Sequence, residues 1–181
     1  MGININIYNA VLFYVAWLLC VTGGNYFAIV TCIVALAIHL RFISGEVSEL
    51  LLIIQVALLG ILVDTLFIVT GVMTGEGVAT LPPLWLISLW LIFATTLNHC
   101  LRWFQNQMPL AVIVGAVAGP LSYLAGTRMT AVEFGEPASH SMVILGLGWA
   151  IIFPVCLHLA CLLYTSPSPR DQRGSRMPSS A

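Results

Sequence analysis

The sequence predicts an all-α fold, an integral membrane bundle of about six transmembrane helices. Only 7% of the residues are charged and 60% are hydrophobic, whereas a soluble domain carries about 25% charged residues. Six apolar segments follow one another, most near the ~20 residues that a helix needs to cross the bilayer core. The formal net charge of -1 offers no basic surface, which excludes nucleic-acid binding. The lipid bilayer is the first expected partner.

The first three segments are predicted at residues 5–21, 26–42 and 50–73. The first ends at Thr-Gly-Gly-Asn (residues 22–25), which is a helix stop followed by a tight turn. Ser44 or Ser48 could cap the third helix. The last three segments are predicted at 84–104, 109–127 and 142–160. Short connections make successive helices antiparallel neighbours.

Basic residues near the segment ends predict the orientation. Arg41 and Arg102 flank loops on one side of the bundle, and Arg128 flanks a loop on the other side. Cytoplasmic loops carry the excess of Lys and Arg. We therefore expect a multi-pass protein of the bacterial inner membrane with both termini in the cytoplasm.

The composition changes abruptly near the C-terminus. Residues 161–171 (CLLYTSPSPRD) and 176–181 (RMPSSA) resemble a translated sequencing adapter. We expect one membrane domain at residues 1–160 and a non-native, disordered tail at 161–181. The alternative is a genuine tail rich in Ser, Pro and Arg.

Asp64 is the only acidic residue inside a predicted span. An ionised carboxylate at that depth costs several kcal/mol unless it is paired, hydrated or protonated. One interpretation is a proton or cation site, or a polar clamp on a substrate. The other is a structural carboxyl bonded to a hydroxyl on a neighbouring helix, for which Ser88, Ser122 and Tyr123 lie at a suitable depth.

Polar side chains also collect near the predicted inner face. His39, His99 and His158 lie on three different spans, with Asn98 and Arg102 at comparable depth. Three imidazoles could bind a metal or relay protons, but no two of them are four residues apart on one helix. We therefore predict interfacial histidines with no metal site and no cofactor. Arg102 is expected to extend toward lipid headgroups.

Small residues form a stripe along the fifth span, at Ala111, Gly115, Gly119, Ser122 and Gly126. Such a stripe lets another helix approach closely. Gly115, Gly119 and Ser122 are therefore candidate helix-packing residues. A membrane-protein partner or a second copy of the chain could use the same stripe.

Three segments resemble a known family: residues 83–104 (PLWLISLWLIFATTLNHCLRWF), 58–67 (LLGILVDTLF) and 118–126 (AGPLSYLAG). The family consists of small multi-span bacterial inner-membrane proteins known only as a domain of unknown function. The resemblance implies a compact helical membrane protein encoded near cyclopropane-fatty-acid-synthase-like genes. It supplies no catalytic residues. Asp64, Asn98 and Arg102 fall inside the resembling segments and form the candidate intramembrane polar site.

Three functions remain open from the sequence. The first is a non-enzymatic membrane component that supports lipid modification or a stress response by binding lipid or a partner. The second is a small proton- or cation-coupled transporter that uses Asp64. The third is a lipid-acting membrane enzyme, although no nucleophile or phosphate-binding motif is present.

Overall fold

The computed structural model describes residues 2–75 and 80–165. Within them the chain forms five α-helices, one 3-10 helix and a two-stranded antiparallel ribbon. The helices are α1 (Gly2–Phe42), α2 (Val47–Val69), α3 (Leu84–Ala94), α4 (Met108–Thr127) and α5 (Ala138–Thr165). The strands are β1 (Met73–Gly75) and β2 (Val132–Phe134), and the 3-10 helix is Arg102–Asn106. α5 reaches five residues into the predicted tail, and residues 166–181 of that tail lie outside the described residues.

α1 is broken at Gly24, where the backbone has φ 70° and ψ -175°. Glycine adopts such a conformation without steric cost, because it has no Cβ atom. The Sγ atom of Cys20, before the break, lies 3.8 Å from the carbonyl oxygen of Ala28, after it. The break therefore divides α1 into a first arm (residues 2–23) and a second arm (residues 25–42).

Contacts with α3 show that the two arms run in opposite directions. Asn9 in the first arm donates to the carbonyl of Thr95, just after α3. Asn25, just after the break, accepts from a backbone N–H in the first turn of α3. The ring of His39, near the end of the second arm, lies 5.0 Å from the ring of His99. Both outer ends of α1 are thus near the C-terminal end of α3, and the break is near its N-terminal end.

The predicted span 84–104 is wrong as a continuous helix, because α3 ends at Ala94. The hydroxyl of Thr95 donates to the carbonyl of Ile92 at 2.7 Å, and the hydroxyl of Thr96 donates to that of Phe93 at 2.6 Å. Side chains that bond to the local backbone in this way compete with helix continuation. The chain proceeds through turns into the 3-10 helix.

A buried amide supports the backbone beyond this break. Asn9 is 1% exposed; its amide nitrogen donates to the carbonyl of Thr95 at 3.0 Å, and its oxygen accepts from the N–H of Cys100 at 3.4 Å. Irregular backbone at membrane depth is tolerated where it is buried in protein and its polar groups are satisfied. The side chain of Asn9 therefore provides hydrogen bonds to backbone groups that a longer α3 would have paired within the helix.

The helices carry their large apolar side chains outward. Small residues of α1 are buried, namely Ala16, Cys20, Ala28, Cys32 and Ala35, while Tyr14, Ile33 and Val34 are exposed. Membrane helices pack through small residues and present larger apolar ones to lipid. Four helices are long and apolar enough to cross a membrane: Ile5–Phe42, Val47–Val69, Met108–Thr127 and Ala138–Leu163. The molecule therefore has the construction of a membrane protein.

The small-residue stripe of α4 faces α5. A Cβ atom on Gly115 or Gly119 would overlap Trp149 of α5. Across the same contact, a Cβ atom on Gly146 would lie 3.1 Å from the carbonyl oxygen of Ala116. Ser122, further along α4, is exposed. At Gly115 and Gly119, α5 of the same chain therefore covers the stripe.

Candidate functional site

Asp64 lies at the meeting point of three helices. It is fully buried on α2. The indole Nε1 of Trp90 on α3 donates to its Oδ2 at 2.6 Å, and the hydroxyl of Tyr123 on α4 donates to its Oδ1 at 2.5 Å. These contacts join α2, α3 and α4, and we call them the Asp64 clamp.

The surrounding residues hold the indole of Trp90 in place. Gly60 lies one turn before Asp64, and a Cβ atom at Gly60 would overlap the Trp90 ring. The opposite helix supplies Trp149, whose ring stacks on Trp90 at 5.1 Å between centroids and 7° between planes. The indole is therefore held between α2 and α5 with its N–H toward the carboxylate.

Sequence reasoning identified one of the two donors to Asp64. Tyr123 was among the three hydroxyls at a suitable depth, whereas Ser88 is buried on α3 and Ser122 is exposed. Trp90 was missed, because a tryptophan in an apolar segment is normally interpreted as core. Its polar N–H is the signal that could have found it, since a buried indole usually has a hydrogen-bond partner.

A cleft lies beside the clamp and has a volume of about 610 Å³, its open mouth included. Aromatic and aliphatic side chains line most of it, and its few polar side-chain groups are hydroxyls and indole nitrogens. The lining comes from the first arm of α1, from α3, from the end of α4 and from Trp149, with Met73 of β1 and Val132 of β2. We call it the aromatic cleft.

A second polar cluster lies at the other end of α2, at His39, Glu49 and His99. The Nε2 atoms of His39 and His99 lie 3.1 Å and 3.3 Å from the same carboxylate oxygen, Oε1 of Glu49. His39 and Glu49 are buried, and the side chain of His99 is 15% exposed. The three residues come from the second arm of α1, the first turn of α2 and the turn after α3. We call this the His–Glu–His cluster.

Two amides orient the carboxylate of Glu49. Gln105 donates to the amide oxygen of Asn98 at 3.2 Å, and the amide nitrogen of Asn98 lies 3.4 Å from Oε2 of Glu49. The contact of His99 Nε2 with Glu49 does not have hydrogen-bond geometry, and Nδ1 of His39, the ring nitrogen that does not contact Glu49, has no hydrogen-bond partner among the described residues. The cluster therefore has an ordered carboxylate in contact with two imidazole nitrogens.

The residues predicted as one intramembrane polar site lie apart. Asn98 contacts Glu49, and Asp64 lies 15 residues further along α2, or ~22 Å of helix. Arg102 is exposed at the start of the 3-10 helix, and His158 is exposed on α5. Glu49 was missed because the third span was predicted to begin at residue 50. The helix begins at Val47 instead, so Glu49 lies in its first turn and is buried in the bundle.

A family model described as a protein of unknown function (DUF2878) matches residues 6–155. The chain belongs to this family. The match confirms the resemblance inferred from the sequence and includes both the Asp64 clamp and the His–Glu–His cluster. No curated protein and no solved structure matches the chain.

Proposed function

We propose that this DUF2878 member is a six-span protein of the bacterial inner membrane that binds the acyl chain of a membrane lipid in the aromatic cleft. The observation that carries the proposal is the cleft itself, an apolar space between helices of a membrane protein, beside a buried carboxylate that fixes its wall. In this proposal the cleft binds the acyl chain and carries out no chemical step.

The contacts at the two ends of the bundle support six crossings. The candidate span in α1 is 38 residues long, or ~57 Å of helix, almost twice the ~30 Å bilayer core. Its two arms run in opposite directions, so we count them as two crossings. The fourth crossing would consist of α3 and the turns that follow it. Successive loops then lie at alternate ends: the break in α1 and the ribbon at one end, the His–Glu–His cluster at the other.

The orientation follows from this topology. Arg41 and Arg102 both belong to the end that carries the His–Glu–His cluster, and Arg128 belongs to the ribbon end. The excess of basic residues favours a cytoplasmic position for the cluster end. Both termini would be there as well, and the ribbon would face the outer side.

The position of the cleft favours an acyl chain as its occupant. Its walls come from the first arm of α1, from α3 and from α4, and both α1 and α4 carry apolar side chains outward, where the bilayer would lie. The ribbon residues Met73 and Val132 line its end. Thr127, in the last turn of α4, also lines the cleft and would lie near the ester region of a lipid whose chain lies deeper. Ligand sites of this kind are concave and mostly apolar with few polar groups.

The Asp64 clamp supports this role better than it supports proton transport. A transported proton must exchange with water, but Asp64 is 0% exposed and both of its oxygens accept hydrogen bonds. The clamp joins Tyr123 and Trp90, which both line the cleft. We therefore propose that Asp64 holds the cleft in shape, and that the transporter hypothesis is the weaker one.

Photo-crosslinking tests the proposal. The full chain is placed in vesicles that contain phosphatidylethanolamine with a diazirine at mid-chain, irradiated, digested and analysed by mass spectrometry. We expect crosslinks concentrated on cleft residues such as Phe13, Trp17 and Leu89. Crosslinks spread evenly over outward-facing residues such as Leu58 and Ile151 would contradict a specific site.

A pair of substitutions at one position supplies the control. A Cβ atom at Gly126 would lie 3.6 Å from the Trp85 ring, an ordinary contact, so Gly126→Ala leaves the cleft open. Gly126→Leu adds a branched side chain that fills it. We expect Gly126→Leu to lose the cleft crosslinks and Gly126→Ala to keep them, at equal protein abundance. Equal crosslinking in both variants would refute the proposed position of the lipid.

A further inference from the structure

We propose that His39, Glu49 and His99 bind one divalent transition-metal ion of the Zn²⁺ class. This site lies at the opposite end of α2 from the aromatic cleft and does not depend on the proposed function. The sequence alone favoured interfacial histidines, because its three candidate imidazoles are on different helices. The structure replaces His158 with Glu49 and brings the three donors together, with all ligand atoms within 4.8 Å of one another.

Two of the three separations between the donor atoms match those of a tetrahedral ion. Zinc is bound by His nitrogen and carboxylate oxygen at 2.0–2.2 Å, so two ligands of a tetrahedral site lie about 3.3 Å apart. The two histidine nitrogens are 3.1 Å and 3.3 Å from Oε1 of Glu49. Two histidines and one glutamate form a recognised zinc ligand set, in which water takes the fourth position.

Independent observations also point to a ligand. Nε2 of His99 is buried and lies 3.3 Å from Oε1 of Glu49, but this contact does not have the geometry of a hydrogen bond. A metal ion bound to both atoms would satisfy this nitrogen, which otherwise costs free energy. Glu49 is 1% exposed, and its carboxylate contacts His39, His99 and Asn98. A bound cation would compensate for the cost of burying its charge.

Residues around the cluster hold Glu49 by hydrogen bonds, as residues around metal ligands usually do. Asn98 donates toward Oε2 of Glu49, and Gln105 donates to Asn98. Ligating carboxylates are usually held by such hydrogen bonds, and loss of one typically weakens metal affinity 10–100-fold. His99, the one partly exposed member, marks the side from which an ion would enter.

Zinc titration of the full chain in detergent tests the site. The protein is stripped with a chelator, titrated with Zn²⁺ alone, desalted, and its metal content is measured by mass spectrometry. We expect one zinc per wild-type chain, and binding weaker by at least tenfold in Glu49→Gln and in His99→Ala. Asn98→Ala should weaken binding about 10–100-fold.

Matched controls separate this site from adventitious binding. Glu46→Gln changes the exposed glutamate just before α2, and His158→Ala changes an exposed histidine on α5. Both should keep wild-type affinity. The proposal is overturned if helical, monodisperse wild-type protein takes up no stoichiometric zinc, or if Glu49→Gln binds as tightly as Glu46→Gln. If Glu49→Gln does not fold, the comparison of His99→Ala with His158→Ala decides in the same way.

Discussion

At the scale of single residues, this membrane protein uses its few buried polar groups as connections between helices. Asp64 accepts from donors on two other helices. Asn9 reaches from α1 to two backbone groups beyond α3. Glu49 lies against histidines from two other segments. Because each buried polar group requires a partner, such residues determine which helices are neighbours.

The Asp64 clamp leads to a prediction about stability. Tyr123→Phe removes one donor and should lower the free energy of unfolding by about 0.5–2 kcal/mol, the range for interhelical hydrogen bonds in membranes. Asp64→Asn should cost more, because its NH₂ group would face the buried donor of Tyr123 or Trp90 and leave it unpaired. Thermal unfolding in detergent, followed by tryptophan fluorescence, measures both changes.

The double variant tests whether the two residues act together. If the clamp exists, Tyr123→Phe should cost less in an Asp64→Ala background than in the wild type, because alanine leaves no acceptor for the Tyr123 hydroxyl. Strictly additive losses would argue against a direct bond between them.

At the scale of elements, glycine positions decide how closely α4 and α5 pack. Gly115 lies against the backbone carbonyl of Trp149, which cannot rotate away. Gly126, on the same stripe, has ordinary van der Waals space toward Trp85. The same residue type therefore has different consequences at two positions about three turns apart on the helix.

Substitution of these two glycines by alanine should change the stability of the protein in opposite directions. Gly115→Ala should destabilise the protein by about 1–3 kcal/mol, since overpacked sites force the helices apart. Gly126→Ala should be neutral or should stabilise by up to ~1 kcal/mol, because alanine is the better helix former. The melting temperatures of the two variants in one detergent give the answer. Equal loss of stability in both would mean that the α4–α5 contact differs from the one described.

The elements also show what the sequence could predict. Composition and segment length gave the helical membrane class, and small-residue spacing located the contact face of α4. The early end of α3 could not be predicted from hydropathy, because it depends on Thr95, Thr96 and the distant Asn9. Glu49 was likewise missed, since its partners are 10 and 50 residues away in the sequence. Patterns along one segment reveal local structure, whereas polar pairs between segments appear only after folding.

At the scale of the whole molecule, the account predicts six crossings with alternating loops. In a background without native cysteines, Thr22→Cys lies near the break in α1 and Glu46→Cys lies before α2, at opposite ends of the second arm. A membrane-impermeant maleimide added to intact cells should label Thr22→Cys. It should label Glu46→Cys only after the inner membrane is opened. Labelling of both positions from the same side would exclude a crossing by the second arm.

A structure of the protein in a lipid environment tests most directly whether the aromatic cleft holds a lipid chain. We expect elongated density between the first arm of α1 and α4, with its inner end beside Tyr123 and Trp90 and its outer end near Thr127. The same density should be absent from Gly126→Leu protein prepared in the same lipid. A cleft that is closed by side chains in the wild type, or whose density is unchanged in Gly126→Leu, would contradict the claim.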